Sequence, residues 1–388
     1  MAEVSAALRK LSPSSASLGP LKAALIKAGS NVLGPVLARL FTAVFRTGCF
    51  PPEWALGAIT AINKKGDTTN PNNYRGITVG HVLGKLYALV INNRLTTWLE
   101  DRGLRAKGQA GFRKGYRTVD NCFILRALAE RARARGVKLY LCAVDFEKAF
   151  DTVDRQQLWS ALQRSGIGGT MLQAIQAMYA DVPVCVKTTE GLSGCFQSVL
   201  GVKQGCPLSP LLFGILLDDF ESYVQQKLGD RAALPQLAGR TVPPLLFADD
   251  MFLISLSPAG LQALLECLQD YCDAKKLTVN TDKTQVMILR PGGGNVSGRL
   301  AAGEAFTYAG RLWRWSAAPN TWASPSLSLV KSMALAAVLT SWLRLDSRPC
   351  LPCAVVPGNW VPALWSNNCS CLTCLSPPSS AMAVRCGV

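Results

Sequence analysis

Apolar positions fall into two rhythms along the chain. Leu33, Leu37, Leu40, Phe41, Val44 and Phe45 recur every three or four residues, which predicts an amphipathic helix over 21–47 ended by Gly48. The same period predicts helices over 82–99 and from Val119 to Arg135, the latter stopped by Gly136, and shorter ones over 154–164 and 170–180. "SPLLFGILLDDFESYVQQKL" (209–228) reads as one helix, with Ser209 as N-cap and Pro210 at the first helical position. "PAGLQALLECLQDYCDAKKL" (258–277) is a further amphipathic helix.

Between these helices lie short apolar runs bounded by turn residues. "ALGAITAI" (55–62), "KLYLCAVDF" (138–146) and "TQVMILR" (284–290) read as strands, the second ending on a carboxylate. "VPVCVKT" and "CFQSVLG", flanking "TEGLSG", predict a hairpin, and "PPLLFADDMFLIS" predicts two short strands around a tight turn. "NKKGDTTNPNN" and "RAKGQAGFRKGYRT" are basic, turn-rich loops. Beyond Leu312 the periodicity fades, and the Ser-, Pro-, Trp- and Cys-rich stretch that follows is expected to be poorly ordered.

The 388 residues carry 41 Lys and Arg against 25 Asp and Glu, a net charge of +16, which favours a polyanionic partner. No apolar run nears the roughly 18 residues of a membrane span, and the N-terminus lacks a secretory layout, so the nucleus or cytoplasm is expected and no membrane partner. A single histidine, His81, excludes histidine-rich zinc sites, and no nucleophile elbow accompanies it. The cysteines up to Cys272 follow no metal spacing and read as small core residues. The C-x-x-C pairs Cys350–Cys353 and Cys371–Cys374 are read as incidental rather than as a zinc site, because their spacing is irregular and no histidine is near.

Asp249 and Asp250 stand side by side in an otherwise apolar run. Two carboxylates about 4 Å apart repel by roughly 1 kcal/mol in water and by several times that in a drier site. Divalent ions would resolve the conflict, and oxygen ligands suit Mg²⁺. Asp145, at the end of its strand, is the best further carboxylate for a two-metal centre, if both segments join one antiparallel sheet. Asp-Asp is also a common turn dipeptide, and Asp218-Asp219 is an internal control, expected on a solvated helix face or paired with a base.

Order adds more than any one dipeptide. "NYRGITV", "QAGFRKGYRT", "AVDFEKAFDTV", "GVKQGCPLSPLLF", "LLFADDMFLIS" and "LTVNTDKTQVMIL" follow one another. Together they resemble the reverse transcriptase domain of non-LTR, LINE-type retrotransposons over about residues 30–311. The resemblance implies an α+β, right-hand polymerase fold. It divides the chain into a helical lead-in (1–50), fingers (51–137), a palm with an antiparallel sheet (138–311, with part of the fingers around 180–205) and a tail (312–388). It implies an RNA-directed DNA polymerase that uses an RNA template, a DNA primer, dNTPs and two Mg²⁺ ions, with Mn²⁺ as the alternative.

Residue by residue, Asp145, Asp249 and Asp250 match the family's catalytic carboxylates, and Phe146 a position where a backbone carbonyl helps hold metal. Phe150 matches the gate below the incoming sugar, where a ring would collide with a ribose 2′-hydroxyl. Gln204 and Gly205 match a motif contacting nucleotide and template. Lys283 matches a lysine placed to protonate pyrophosphate. Arg75 and Arg113 match basic finger positions, Arg113 being the choice for triphosphate contact, while Lys64, Lys65 and Arg117 would track the nucleic-acid backbone. An endonuclease and full thumb helices are not evident, so a truncated or degraded copy is expected. The alternatives are a catalytically inactive nucleic-acid-binding remnant, an RNA-templated RNA polymerase, against which Phe150 argues, and a maturase.

Overall fold

The computed structural model describes residues 1–64, 66–291 and 305–313; Lys65 and the tail beyond 313, with its C-x-x-C pairs, lie outside them. The lead-in is built from three helices rather than one: α1 (Ala2–Lys10), α2 (Ala23–Ala28) and α3 (Ser30–Thr47). Gly29 ends α2, its N–H bonding the Leu25 carbonyl at 3.0 Å, and Gly48 ends α3 in the left-handed region at φ +67°. The start of the chain forms α1 because Val4, Ala7, Leu8 and Leu11 repeat at helical spacing and all become buried. Its Glu3 takes a bidentate pair from Arg94.

A short turn, α4 (Pro52–Ala55), leads into β1 (Gly57–Asn63) and β2 (Tyr74–Gly80). Next come α5 (Val82–Asp101), α6 (Thr118–Ala134) and β3 (Leu139–Val144). His81 is the N-cap of α5: its Nδ1 accepts the Leu83 N–H at 3.2 Å, and burial lowers its pKa, which favours the neutral acceptor form. The only histidine is therefore used structurally. The chain continues through α7 (Arg155–Arg164), α8 (Gly169–Ala180), β4 (Pro183–Thr188) and the two-residue strands β5 (Gly191–Leu192) and β6 (Phe196–Gln197). β1 pairs antiparallel with β2 and parallel with β4, which in turn pairs with β5 and β6. The expected hairpin thus exists only as short pairings, and β2 was not legible as a strand, since "NYRGITVG" is half polar with two glycines.

The segment 209–228 is two helices, α9 (Ser209–Leu217) and α10 (Phe220–Leu228), broken at Asp218-Asp219. Short pairs β7 (Gln236–Leu237) and β8 (Arg240–Thr241) precede β9 (Leu245–Phe247), β10 (Asp250–Ser255), α11 (Pro258–Lys275) and β11 (Gln285–Leu289). The last pair is β12 (Phe306–Tyr308) and β13 (Arg311–Trp313). The central sheet runs β11-β3-β10-β9, all antiparallel, with Met251 opposite Val144 and Val286 opposite Cys142.

This sheet is covered on both faces. Tyr140, Cys142 and Val144 of β3 enter the main core with Met251 and Leu253 of β10 and much of α9 and α11. Leu139 and Leu141 join Phe252 and Ile254 in a second core under α6. Burial on both faces explains why these strands read as continuous apolar runs rather than alternating ones. α9 is apolar all round and almost wholly buried, as a core helix should be. No helix among the described residues is long and apolar enough to cross a membrane.

The break at Asp218-Asp219 is held by charge. The Arg105 guanidinium lies against Gly214, where a Cβ would approach it to 2.6 Å, and pairs with Asp218 at 2.6 Å, both side chains buried. Asp219 takes Lys275 at 2.6 Å, Arg164 at 3.1 Å and the Tyr271 hydroxyl at 2.5 Å. The control dipeptide is thus paired with bases, not solvated. Arg105→Met, which strands Asp218 in the core, is expected to lower the unfolding free energy in urea by about 3–5 kcal/mol. The double variant Arg105→Met with Asp218→Leu should recover much of that, and equal instability of both would assign the loss to packing instead.

Candidate active site

β9 and β10 are joined by the two residues Ala248 and Asp249, with Phe247 opposite Asp250. Ala248 is left-handed at φ +62°, a conformation that costs a residue with a Cβ. The register of β10 with β3, continued one residue past the Met251–Val144 pair, sets Asp250 across from Asp145, with Asp249 in the turn beside them. Sheet topology therefore brings three acids from distant parts of the sequence to one end of one sheet.

Beyond β3 the chain stays extended against the segment leading into β11. The Asp145 N–H donates to Thr284 Oγ1 at 3.2 Å, its carbonyl accepts from the Asn280 N–H at 2.8 Å, and the Glu147 N–H donates to the Thr278 carbonyl at 2.8 Å. Backbone groups of alternate residues point to opposite sides of a strand. The Phe146 carbonyl consequently points away from the segment leading into β11, while its ring is buried in the core.

Burial raises the pKa of Asp145, the Asp249 charge adds to this, and Lys283 and Lys64 oppose it. Burial likewise raises Asp249, against Arg75 and Lys283. Lys283 Nζ stands 3.6 Å from Asp145 Oδ2, a loose contact from an exposed side chain. Arg75, on β2, and Lys64, just after β1, are both exposed. Lys64 is lowered by burial and by its like-charged neighbours Lys283 and Arg75. A rim of cations from three segments thus surrounds two acids that lack a tight partner ion among the described residues.

Below the acids the chain doubles back through Lys148, left-handed at φ +47°. Phe150 is half-buried and stacked on Phe213, with centroids 5.2 Å apart and planes at 23°. Gln204 Nε2 donates to Asp151 at 2.8 Å, and the Gln204 carbonyl accepts from the Thr78 N–H at 2.7 Å. Gly205 has φ +105°, and a Cβ there would meet the Thr78 carbonyl at 2.7 Å, so the close approach to β2 requires glycine. Lys203 is drawn inward to the Ala55 carbonyl at 3.0 Å.

Arg113 is placed differently from the triphosphate contact expected of it. Its fork grips Glu100 at 2.8 and 2.7 Å and donates to the carbonyls of Ala106 and Gln109 at 2.9 and 3.1 Å, leaving the side chain 8% exposed. It clamps the loop before α6. Asp151 enters the site without having been singled out, its signal being weak within "DFEKAFDTV", and Lys64, expected along the nucleic-acid backbone, lies near the acids instead.

The donor set available to a metal is all oxygen, namely the carboxylates of Asp145, Asp249 and Asp250 and the Phe146 carbonyl. That chemistry fits a hard divalent cation. Among the described residues no group of three or more His, Cys, Asp or Glu side chains is placed to hold a metal ion.

Comparison with known proteins gives the same family as the motif order. The family described as "Reverse transcriptase (RNA-dependent DNA polymerase)" matches residues 62–321, more than half of the chain, and domains of this kind generally need a divalent metal. The chain is 29% identical over 258 residues to the transposon TX1 uncharacterized 149 kDa protein of Xenopus laevis, covering 66% of this chain and 19% of that one. It is 28% identical over 250 residues to the Pol polyprotein of the type-1 retrotransposable element R2 of Popillia japonica (64% and 34%). It is 25% identical over 260 residues to the RNA-directed DNA polymerase from mobile element jockey of Drosophila melanogaster (64% and 27%). It therefore spans only a minor part of these relatives. Among solved structures, apo telomerase from Candida tropicalis truncated from the C-terminal domain aligns at TM-score 0.46 and 14% identity, covering 72% of this chain and 58% of that one, a likeness too distant to bear on function.

Lysine cannot supply the guanidinium fork. Arg113→Lys is expected to lower the unfolding free energy by about 1–3 kcal/mol, read from urea denaturation. Unchanged stability would remove Arg113 from the loop clamp.

Proposed function

The chain belongs to the reverse transcriptase (RNA-dependent DNA polymerase) family and has its right-hand polymerase fold, and on that footing we propose that it extends a DNA primer on an RNA template. The supporting observation is the meeting of Asp145 with the Asp249 turn at one end of an antiparallel sheet, within a rim of exposed cations. We assign 51–137 and about 180–205 to the fingers and 138–311 to the palm, with the central sheet as the palm floor.

Asp145, Asp249 and Asp250, with the Phe146 carbonyl, would hold two Mg²⁺ ions. When bound, such ions supply activation of the primer hydroxyl and neutralisation of the charge developing on pyrophosphate. The chain's own groups do the rest. Arg75 and Lys64 draw the triphosphate toward the acids, since guanidinium and ammonium groups both pair with phosphate oxygens. Lys283 lies near enough to Asp145 to share that environment and hands a proton to the leaving pyrophosphate. Gln204 is oriented by Asp151, and Gly205 allows close backbone approach to nucleotide and template. Phe150, stacked on Phe213, would set its ring against a ribose 2′-hydroxyl and so select dNTPs.

Asp249→Ala is expected to reduce primer extension on an RNA template by at least about 100- to 1000-fold. Equal extension by both proteins would reject the assignment. Salt-sensitive RNA binding without incorporation by the unmodified chain would instead establish a binding remnant. Phe150→Val should raise rNTP use relative to dNTP use by about tenfold or more in a competition assay. An unchanged ratio would reduce Phe150 to a core ring.

A further inference from the structure

We propose that Gln109 is a positioning residue for the β9–β10 turn: its buried amide oxygen holds the Ala248 N–H and so fixes the left-handed step that sets Asp249 beside Asp145. The inference rests on the polymerase reading above.

Gln109 is 1% exposed, an unusual place for a primary amide, and its Nε2 is buried with no hydrogen-bond partner among the described residues, so its oxygen carries the contacts. Its Oε1 accepts two backbone N–H groups, Gly111 at 2.7 Å and Ala248 at 3.2 Å. Both partners are donors, so the amide can face them only through its oxygen and its orientation is fixed. The approach is possible only because the loop is glycine at two points. A Cβ on Gly111 would stand 2.1 Å from the Ala248 nitrogen and 2.9 Å from Gln109 Oε1, and one on Gly108 would stand 2.0 Å from the Pro244 carbonyl oxygen.

The same loop closes the open edge of the central sheet. The Ala110 N–H bonds the Leu246 carbonyl at 2.9 Å, and the Leu246 N–H bonds the Gly108 carbonyl at 2.8 Å. Asn121, also buried, adds a bond to the Leu246 carbonyl at 3.1 Å. The loop is anchored before and after Gln109: Arg105 to Asp218 at 2.6 Å, and Arg113 to Glu100 and to the Gln109 carbonyl. A chain of fixed contacts therefore runs from two ion pairs through Gln109 to the backbone of the residue preceding Asp249. Ala248 takes φ +62° as the first residue of the two-residue turn, a costly conformation for a residue with a Cβ, and Gln109 Oε1 bonds its N–H from outside the turn.

The test compares the wild type, Gln109→Met, which keeps the length and loses the acceptor, and Gln109→Met combined with Ala248→Gly. The measurements are hydrogen exchange at the Ala248 amide, Mn²⁺ binding by electron paramagnetic resonance, and kcat and KM in primer extension. Gln109→Met should lose protection at Ala248, bind Mn²⁺ about 10- to 100-fold more weakly and lose a similar factor in kcat with nucleotide KM little changed. Adding Ala248→Gly should return about tenfold, because glycine takes the left-handed conformation without the Cβ penalty. Unchanged Mn²⁺ affinity and kcat in Gln109→Met would overturn the proposal. So would a loss confined to melting temperature and not rescued by glycine. If Gln109→Met does not fold, Gln109→Asn, whose oxygen falls short by one methylene, is measured in the same way against the same outcomes. A wild-type chain that neither binds Mn²⁺ nor incorporates nucleotide would overturn the polymerase reading. In that case, loss of Ala248 protection in Gln109→Met would still support the positioning bond, and its retention would overturn it.

Discussion

Two acids held half-buried beside one another, without a tight ion partner among the described residues, are the condition on which the rest of this molecule is arranged. Burial raises both Asp145 and Asp249, and the charge of Asp249 raises Asp145 further. Such a pair is costly in any fold unless opposite charge comes to it. The chain could have neutralised the pair with a buried arginine. It supplies instead an exposed lysine at 3.6 Å and cations at the rim, which leave room for charge that arrives from solution.

Holding that pair requires rigidity around it. The central sheet has a core on each face, so β3 and β10 cannot shift without disturbing both. Its open edge is covered by the 108–111 backbone, and that loop is tied by ion pairs to α5 and to the α9–α10 junction. The finger strands, by contrast, carry Arg75 and Lys64 on exposed positions, and β2 reaches the site through the Gln204–Thr78 bond. Precision is thus concentrated where ligands must be aimed, and freedom where a polyanion must be gathered.

The sequence made much of this legible, because local chemistry and burial agree there. The Asp-Asp turn, the strand leading to Asp145, the cap at Gly48 and the core helix from Ser209, whose N-cap is Leu208 rather than Ser209, follow from continuous apolar runs, the 3.6 period and turn residues. What was hidden depends on partners far along the chain. Nothing near Arg113 reveals that Glu100 will take its fork, and nothing near Gln109 reveals that the turn at Ala248 will need its oxygen. α9 and α10 read as one helix because apolar spacing continues across Asp218-Asp219; the break comes from Arg105 and Lys275, which arrive from elsewhere.

The two Asp-Asp dipeptides make the same point from the other side. Asp218 is closed by a buried guanidinium and Asp219 by two cations and a tyrosine hydroxyl, so their charge is spent inside the protein. Asp249 meets Arg75 and Lys283 only through longer-range attraction, beside a second acid that opposes it. Asp249 therefore differs from Asp218 and Asp219 in what remains for a ligand. A carboxylate with its partners already in place is a structural element, whereas one kept dry, crowded by another acid and short of cations has its free energy still to gain from an ion. That difference, rather than the dipeptide itself, separates a helix junction from a metal-binding turn.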